Sequence, residues 1–136
     1  MKNRNILILI IVAGVSAVFW WSSSNVEKPT SGKPLVTVKV PTLSGEAIQG
    51  ERLFNANCSS CHGVNAAGQK GVAPPLIHII YETGHHGDVT FYRANQFGVR
   101  QHHWPFGDMQ PVGVQQADMS AIIVYIRTVQ RANGIQ

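Results

Sequence analysis

Cys58-Ser59-Ser60-Cys61-His62 contains the only two cysteines of this 136-residue chain, and a histidine directly follows the second of them. A disulfide between cysteines this close would close a very short loop and would constrain little of the unfolded chain. Two thiols at this spacing on one helical turn can instead bond to the same group, toward which the next imidazole also projects. The pattern therefore indicates that the three side chains share one ligand.

The C-x-x-C-H pattern is the one used for covalent haem attachment, in which both cysteines bond to the porphyrin and the histidine binds its iron. A thioredoxin-like motif would follow a β-strand, whereas the residues before Cys58 have a helical pattern. A zinc site would need further ligands at comparable spacing, and the sequence has no other cysteine. We therefore expect one covalent haem c on Cys58 and Cys61, with His62 as an iron ligand.

The segments flanking this motif resemble the class I cytochromes c over roughly residues 45–132. Residues 50–58, with Gly50 and Phe54 one turn apart, are similar to the family's amino-terminal helix. Ala73-Pro74-Pro75-Leu76 is similar to the family's Gly-Pro-x-Leu segment. The resemblance implies that the Pro74 carbonyl accepts a hydrogen bond from the haem-ligating histidine and that Leu76 packs on the haem. Such a carbonyl fixes the imidazole and leaves its Nε2 free for iron.

A helix is predicted over residues 115–132, with Gly134 as a stop signal. Its apolar residues recur at steps of three and four positions: Met119, Ile122, Ile123, Ile126 and Val129. The resemblance implies that this helix crosses the amino-terminal one at Gly50, which permits a close approach, and that Phe54 packs beside Tyr125.

Two shorter helices complete the expected fold, one around residues 45–57 and one around residues 88–97. Asp88 is the expected N-cap of the middle helix, and Gly98 is expected to end it. We therefore predict an all-α domain of the class I cytochrome c fold, with three or more helices around one haem. Strand content should be near zero in residues 42–136.

A second axial ligand is expected from the loop Trp104-Pro105-Phe106-Gly107-Asp108-Met109-Gln110-Pro111. It precedes the last helix, where the family carries its distal methionine, so the resemblance implies that Met109 binds iron. Met1 is at the chain's start, and Met119 lies on a packing face where methionine is more often a core residue. The family often has proline directly after this methionine, whereas Gln110 intervenes here, which bears on the loop's rigidity. By the same resemblance, Trp104 or a nearby histidine is expected to donate a hydrogen bond to a haem propionate.

The net charge of +4 lies entirely in residues 1–41, since residues 42–136 carry six basic and six acidic side chains. The expected folded domain therefore offers no basic stripe for phosphates, and we expect no nucleic acid partner.

The amino terminus has an uncharged apolar run at residues 6–21, preceded by Lys2 and Arg4 and ending in Trp20-Trp21. As a helix it would rise about 24 Å against a hydrocarbon core of about 30 Å, so its length fits a secretory signal as well as an anchor. The tryptophan pair suits the membrane interface, and the small-residue pattern Val15-Ser16-Ala17 lies inside the apolar run instead of after it. We therefore expect a retained transmembrane helix whose positive end is cytoplasmic.

These segments give three parts: an anchor at residues 1–21, a linker at 22–41 and the haem domain at 42–136. Three prolines and three consecutive serines predict that the linker is a tether. Residues 35–40 could form a short strand, but a lone strand has no partner, so we expect an extended segment lying on the domain. The haem domain should lie on the periplasmic side of the inner membrane.

The expected function is electron transfer without catalysis, because two filled axial positions leave iron no open site. A thioether ligand raises the reduction potential relative to two histidines. By analogy with the family, the partners would be a quinol-oxidising complex and a terminal oxidase or reductase. A haem-based sensor, a metal-binding module and an electron-input subunit of a larger reductase are the alternatives, and a gas sensor would need a vacant or labile sixth site.

Two histidine pairs, His85-His86 and His102-His103, are not required for haem attachment. Four imidazoles invite a copper or zinc site, since neutral imidazole suits both ions. The pairs flank the middle helix, whose ends are about 13 Å apart, so convergence would require residues 100–104 to fold back along it. We therefore favour the reading that these histidines line the haem edge and the surface.

Overall fold

The computed structural model describes residues 32–136, so the predicted anchor and the first part of the predicted linker lie outside it. Four α-helices are present in this part: α1 (Glu46–Asn57), α2 (Ser59–His62), α3 (Asp88–Phe97) and α4 (Gln116–Ala132). Two 3₁₀ turns, Val64–Ala66 and Ile79–Tyr81, lie between α2 and α3. Residues 32–136 contain two isolated β-bridges and no strand, which confirms the all-α prediction for them. None of these helices is long and apolar enough to span a bilayer.

The crossing of α1 and α4 forms the centre of the core. Gly50 lies against the backbone of Ala121, where an added Cβ would be only 1.9 Å from the carbonyl oxygen. One turn later Phe54 packs on Tyr125, with 5.5 Å between ring centroids, and both side chains are fully buried. The predicted close approach at Gly50 and the aromatic pair beside it are therefore confirmed.

Of the two residues predicted to end α3, Gly98 does so and Asp88 does not. Asp88 is the first helical residue and Gly87 takes the N-cap position, so the assignment of Asp88 as N-cap is wrong. Its carboxylate still lies in the first turn, where the helix dipole favours negative charge, but it accepts a hydrogen bond from Arg127 instead of capping the helix. Gly98 ends the helix as predicted, with a φ of 73° that glycine adopts without strain.

A buried arginine holds the loop before α3 against α4. Arg127 is 6 % exposed. It donates to the Asp88 carboxylate at 2.8 Å and to the backbone carbonyls of Tyr81 and His86 at 2.6 Å each. It also donates to the side chain of Gln130 at 2.7 Å. Because these bonds satisfy the donors of a buried guanidinium, this network fixes the segment containing His86.

The described part of the predicted linker lies on the helical domain, bends at Leu35 and Val36 and forms no strand. Leu35 and Val36 donate their N–H groups to the Ala67 carbonyl at 3.1 and 3.2 Å. Lys39 exchanges two backbone hydrogen bonds with the Asn133 side chain, at 2.9 and 2.8 Å. The expectation that this segment lies on the domain without forming a strand is confirmed for these residues.

Candidate functional site

The attachment motif lies where α1 ends and α2 begins. Cys58 separates the two helices and donates its N–H to the Phe54 carbonyl at 2.8 Å, while its own carbonyl accepts from the N–H of His62 at 2.9 Å. Cys58 is half-buried, Cys61 is exposed, and they do not form a disulfide. One helical turn therefore presents both thiols and the imidazole together.

The Cys58 thiol lacks the character of a redox nucleophile. Burial, with a smaller contribution from repulsion by Cys61, raises the pKa of Cys58 to about 11. Thiols of disulfide-exchange motifs have lowered pKa values, because the thiolate is the nucleophile. A thiol that stays protonated at neutral pH thus argues against the thioredoxin-like alternative.

His62 has one ring nitrogen fixed and the other free. Its Nδ1 lies 2.9 Å from the Pro74 carbonyl oxygen. Because a carbonyl can only accept, Nδ1 carries the proton, and the Nε2 lone pair is available to a metal. Burial lowers the pKa of His62, against a smaller opposing effect of this hydrogen bond, so the neutral ring that ligates metals is favoured.

A cavity of about 900 Å³ opens between the motif, α3, α4 and the loop before α4. It is lined by all seven residues that the sequence indicated: Cys58, Cys61, His62, Pro74, Leu76, Trp104 and Met109. Its size is near the upper end of the usual range of ligand pockets. The cavity thus brings both thiols, an oriented imidazole and a thioether to one apolar space, and this donor set suits a haem c.

Met109 is held on the cavity wall by its backbone. Its N–H and C=O pair with those of Val99 at 2.9 and 3.0 Å, in one of the two isolated bridges. Gly98 permits this approach, because a Cβ there would lie 2.3 Å from the Met109 carbonyl oxygen. Met119 also lines the cavity, but it is 6 % exposed within the core cluster of α4. Both methionines therefore line the cavity, Met109 from a loop whose backbone is fixed by Val99 and Met119 from the core face of α4.

Trp104 offers a hydrogen-bond donor at the cavity. Its Nε1 is buried and makes no hydrogen bond of good geometry among residues 32–136, where the Tyr81 hydroxyl is a nearby polar group. A buried donor without a partner is costly, so its presence here fits an acceptor group on a bound molecule. A haem propionate is such a group.

Sequence reasoning missed several apolar and structural residues of the site. The cavity is also lined by Tyr81, Phe91, Ile122 and Ile126, whose side chains only the tertiary packing brings there. Asn95 was missed as well: its side chain bonds both the N–H and the C=O of Val114, which fixes the chain beyond Met109. The one sequence signal for this role was the position of Asn95 in the last turn of a helix, where its side chain can bond the chain that follows.

The two histidine pairs come together, contrary to the geometric expectation. Residues 100–104 do fold back, and ligand atoms of His85, His86 and His103 all lie within 4.8 Å of one another. His86, His102 and His103 also line the cavity, in keeping with the expected position near the haem edge.

Comparison with known proteins identifies the domain. The family model for Cytochrome c matches residues 47–130, which run from α1 into α4 and contain every residue of the site named above. No curated protein and no solved structure matches the chain. The match covers more than half of the sequence and agrees with the attachment motif and the all-helical fold. The chain therefore belongs to the cytochrome c family as a class I c-type cytochrome with a covalently bound haem c.

Proposed function

We propose that this protein is a single-electron carrier whose haem is bound by His62 and Met109 and which is tethered to the inner membrane as part of a respiratory chain. One observation carries the axial assignment: His62 lines the same cavity as both thiols, and so does Met109, from a loop outside the core whose backbone pairs with Val99. When bound, the haem supplies a reversible one-electron iron couple.

The protein's own residues would attach, orient and shield that group. Cys58 and Cys61 form the covalent bonds, Pro74 holds the imidazole in the ligating tautomer, and Leu76 provides an apolar contact. The Trp104 indole would donate to a propionate. An apolar wall disfavours the additional charge of the oxidised iron, so it acts with the thioether to raise the reduction potential.

A carrier is favoured over a gas sensor because a sensor needs a sixth position that exchanges its ligand. The paired backbone hydrogen bonds between Met109 and Val99 keep this methionine at the cavity wall and so favour a filled sixth position. The electron-input role in a larger reductase would use the same site with a permanent partner, so it differs from our proposal only in the assembly.

The anchor rests on the amino-terminal sequence. Residues 6–21 are apolar, follow two cations and end in two tryptophans. A retained helix there would place the haem domain on the periplasmic side, where a quinol-oxidising complex could reduce it and a terminal oxidase or reductase could oxidise it.

We expect the mature chain to sediment with membranes, to resist an alkaline carbonate wash and to be released by detergent. A matched control replaces residues 1–21 with a cleavable secretory signal and should yield a soluble periplasmic protein. Mild detergent extraction should co-purify a quinol-oxidising complex or an oxidase or reductase with the wild-type chain. A wild-type amino terminus that begins after Ala17 or within residues 22–24 would contradict the anchor.

A further inference from the structure

Three histidines from two separate loops converge at the rim of the haem cavity. His85 and His86 precede α3, and His103 follows it, 18 positions after His85. The Nε2 atoms of His85 and His103 are 3.3 Å apart. Zinc–imidazole bonds of about 2.0–2.1 Å in a tetrahedral site imply nitrogen pairs roughly 3.3–3.4 Å apart. This pair therefore already has the spacing of two ligands to one ion.

The third imidazole has one ring nitrogen engaged by a carbonyl, as metal-binding histidines usually do. His86 has its Nδ1 2.6 Å from the Ile80 carbonyl oxygen, so Nδ1 carries the proton and Nε2 keeps its lone pair. Histidine ligands almost always donate their second nitrogen to a carbonyl or carboxylate in this way. The Arg127 guanidinium also donates to the His86 carbonyl, so a buried side chain fixes the backbone that bears this ring.

The loop that carries His103 is closed by side-chain hydrogen bonds. Gln101 donates its N–H to the Asp108 carboxylate at 2.8 Å, and its side-chain oxygen accepts from the N–H of Gly107 at 2.6 Å. These contacts return residues 100–104 toward His85.

We propose that His85, His86 and His103 bind one divalent transition-metal ion at this rim, with Cu²⁺ bound more tightly than Zn²⁺. Three neutral imidazoles suit both ions and leave a coordination position open to solvent. Among the described residues, no carboxylate or thiol belongs to the group that could favour another metal. The intrinsic order of stability, in which Cu²⁺ exceeds Zn²⁺, should then decide the preference. The proposal does not depend on the axial assignment or on the membrane anchor.

The test is a calorimetric titration of the full haem-loaded chain, purified without a polyhistidine tag, with Cu²⁺ and separately with Zn²⁺. We expect one ion per chain in each case and a tighter complex with Cu²⁺. Loss of a residue that only hydrogen-bonds to a metal ligand commonly weakens metal binding about 10- to 100-fold. His103→Gln removes a ligand itself, so it should weaken binding at least about tenfold. Nitrogen couplings in the electron paramagnetic resonance spectrum of bound Cu²⁺ should report imidazole ligands and should change in this variant.

His102→Gln is the matched control, because His102 is adjacent, equally exposed and outside the converging group. Its Nδ1 lies 2.7 Å from the Arg100 carbonyl oxygen, and we expect metal affinity to change little when it is replaced. An unaltered haem spectrum and helical circular dichroism in both variants would show that they remain folded. Equally weak binding by the wild-type chain and His103→Gln would overturn the proposal, as would an equal loss of binding in His102→Gln.

Discussion

Replacing Met109 with alanine should convert the ferric haem from low spin to high spin, or to a form with water or histidine as sixth ligand, and should lower its reduction potential. The thioether stabilises the reduced iron, so its loss favours the oxidised state. Axial ligands adjust haem potentials over a range of about 0.8 V, and we expect a fall on the order of 0.1 V. Optical spectra of both oxidation states and a potentiometric titration measure the two effects.

Met119→Ala provides the comparison, since Met119 lines the same cavity from α4 but is buried in the core. We expect it to keep the low-spin spectrum and to lower the free energy of unfolding by about 2–4 kcal/mol, as is usual for a methionine truncated in a core. If Met119→Ala alters the spectrum while Met109→Ala leaves it unchanged, the axial ligand has been assigned to the wrong residue.

Gly50→Ala should destabilise the domain strongly, although the same change in an ordinary exposed helix stabilises it by about 1 kcal/mol. The new Cβ would lie 1.9 Å from the Ala121 carbonyl oxygen and 2.8 Å from the Tyr125 Cβ. Because the closest of these atoms belongs to backbone, relief requires α1 and α4 to separate, which also loosens the packing of Phe54 on Tyr125. We expect a cost of about 3 kcal/mol and a fall in Tm of more than about 10 °C.

Thermal unfolding of the haem-loaded chain, followed by circular dichroism, measures this effect. Gly84→Ala is a suitable control, because a Cβ there meets nothing within 4 Å and the backbone has no positive φ. Its Tm should stay the same or rise slightly. An unchanged or increased Tm for Gly50→Ala would show that the helices are not held in contact at this glycine.

Local patterns predicted most of the helical framework. The apolar spacing of α4 and the glycines at positions 98 and 134 placed the later helices within about two residues, since these signals act over one or two turns. Asp88 shows where local rules fail: it is a good N-cap residue, but Arg127, which is distant in sequence, uses its carboxylate.

The remainder of the site depends on contacts between residues far apart in sequence. Tyr81 and Phe91 line the cavity because packing on α4 brings them there, and no motif marks them. The convergence of His103 with His85 requires residues 100–104 to return past α3, and helix geometry alone argued against it. Gln101 and Asp108 close that loop, but neither side chain reveals its partner in the sequence.

The most direct test of the carrier function is an optical redox titration of the full haem-loaded chain, with carbon monoxide added to the reduced form. We predict a single reversible one-electron transition, low-spin spectra in both oxidation states and no spectral change with carbon monoxide at neutral pH. These results would follow from His62 and Met109 occupying both axial positions. Ready formation of a carbon monoxide complex, or a high-spin ferrous spectrum, would contradict the account and indicate a haem with an open sixth position.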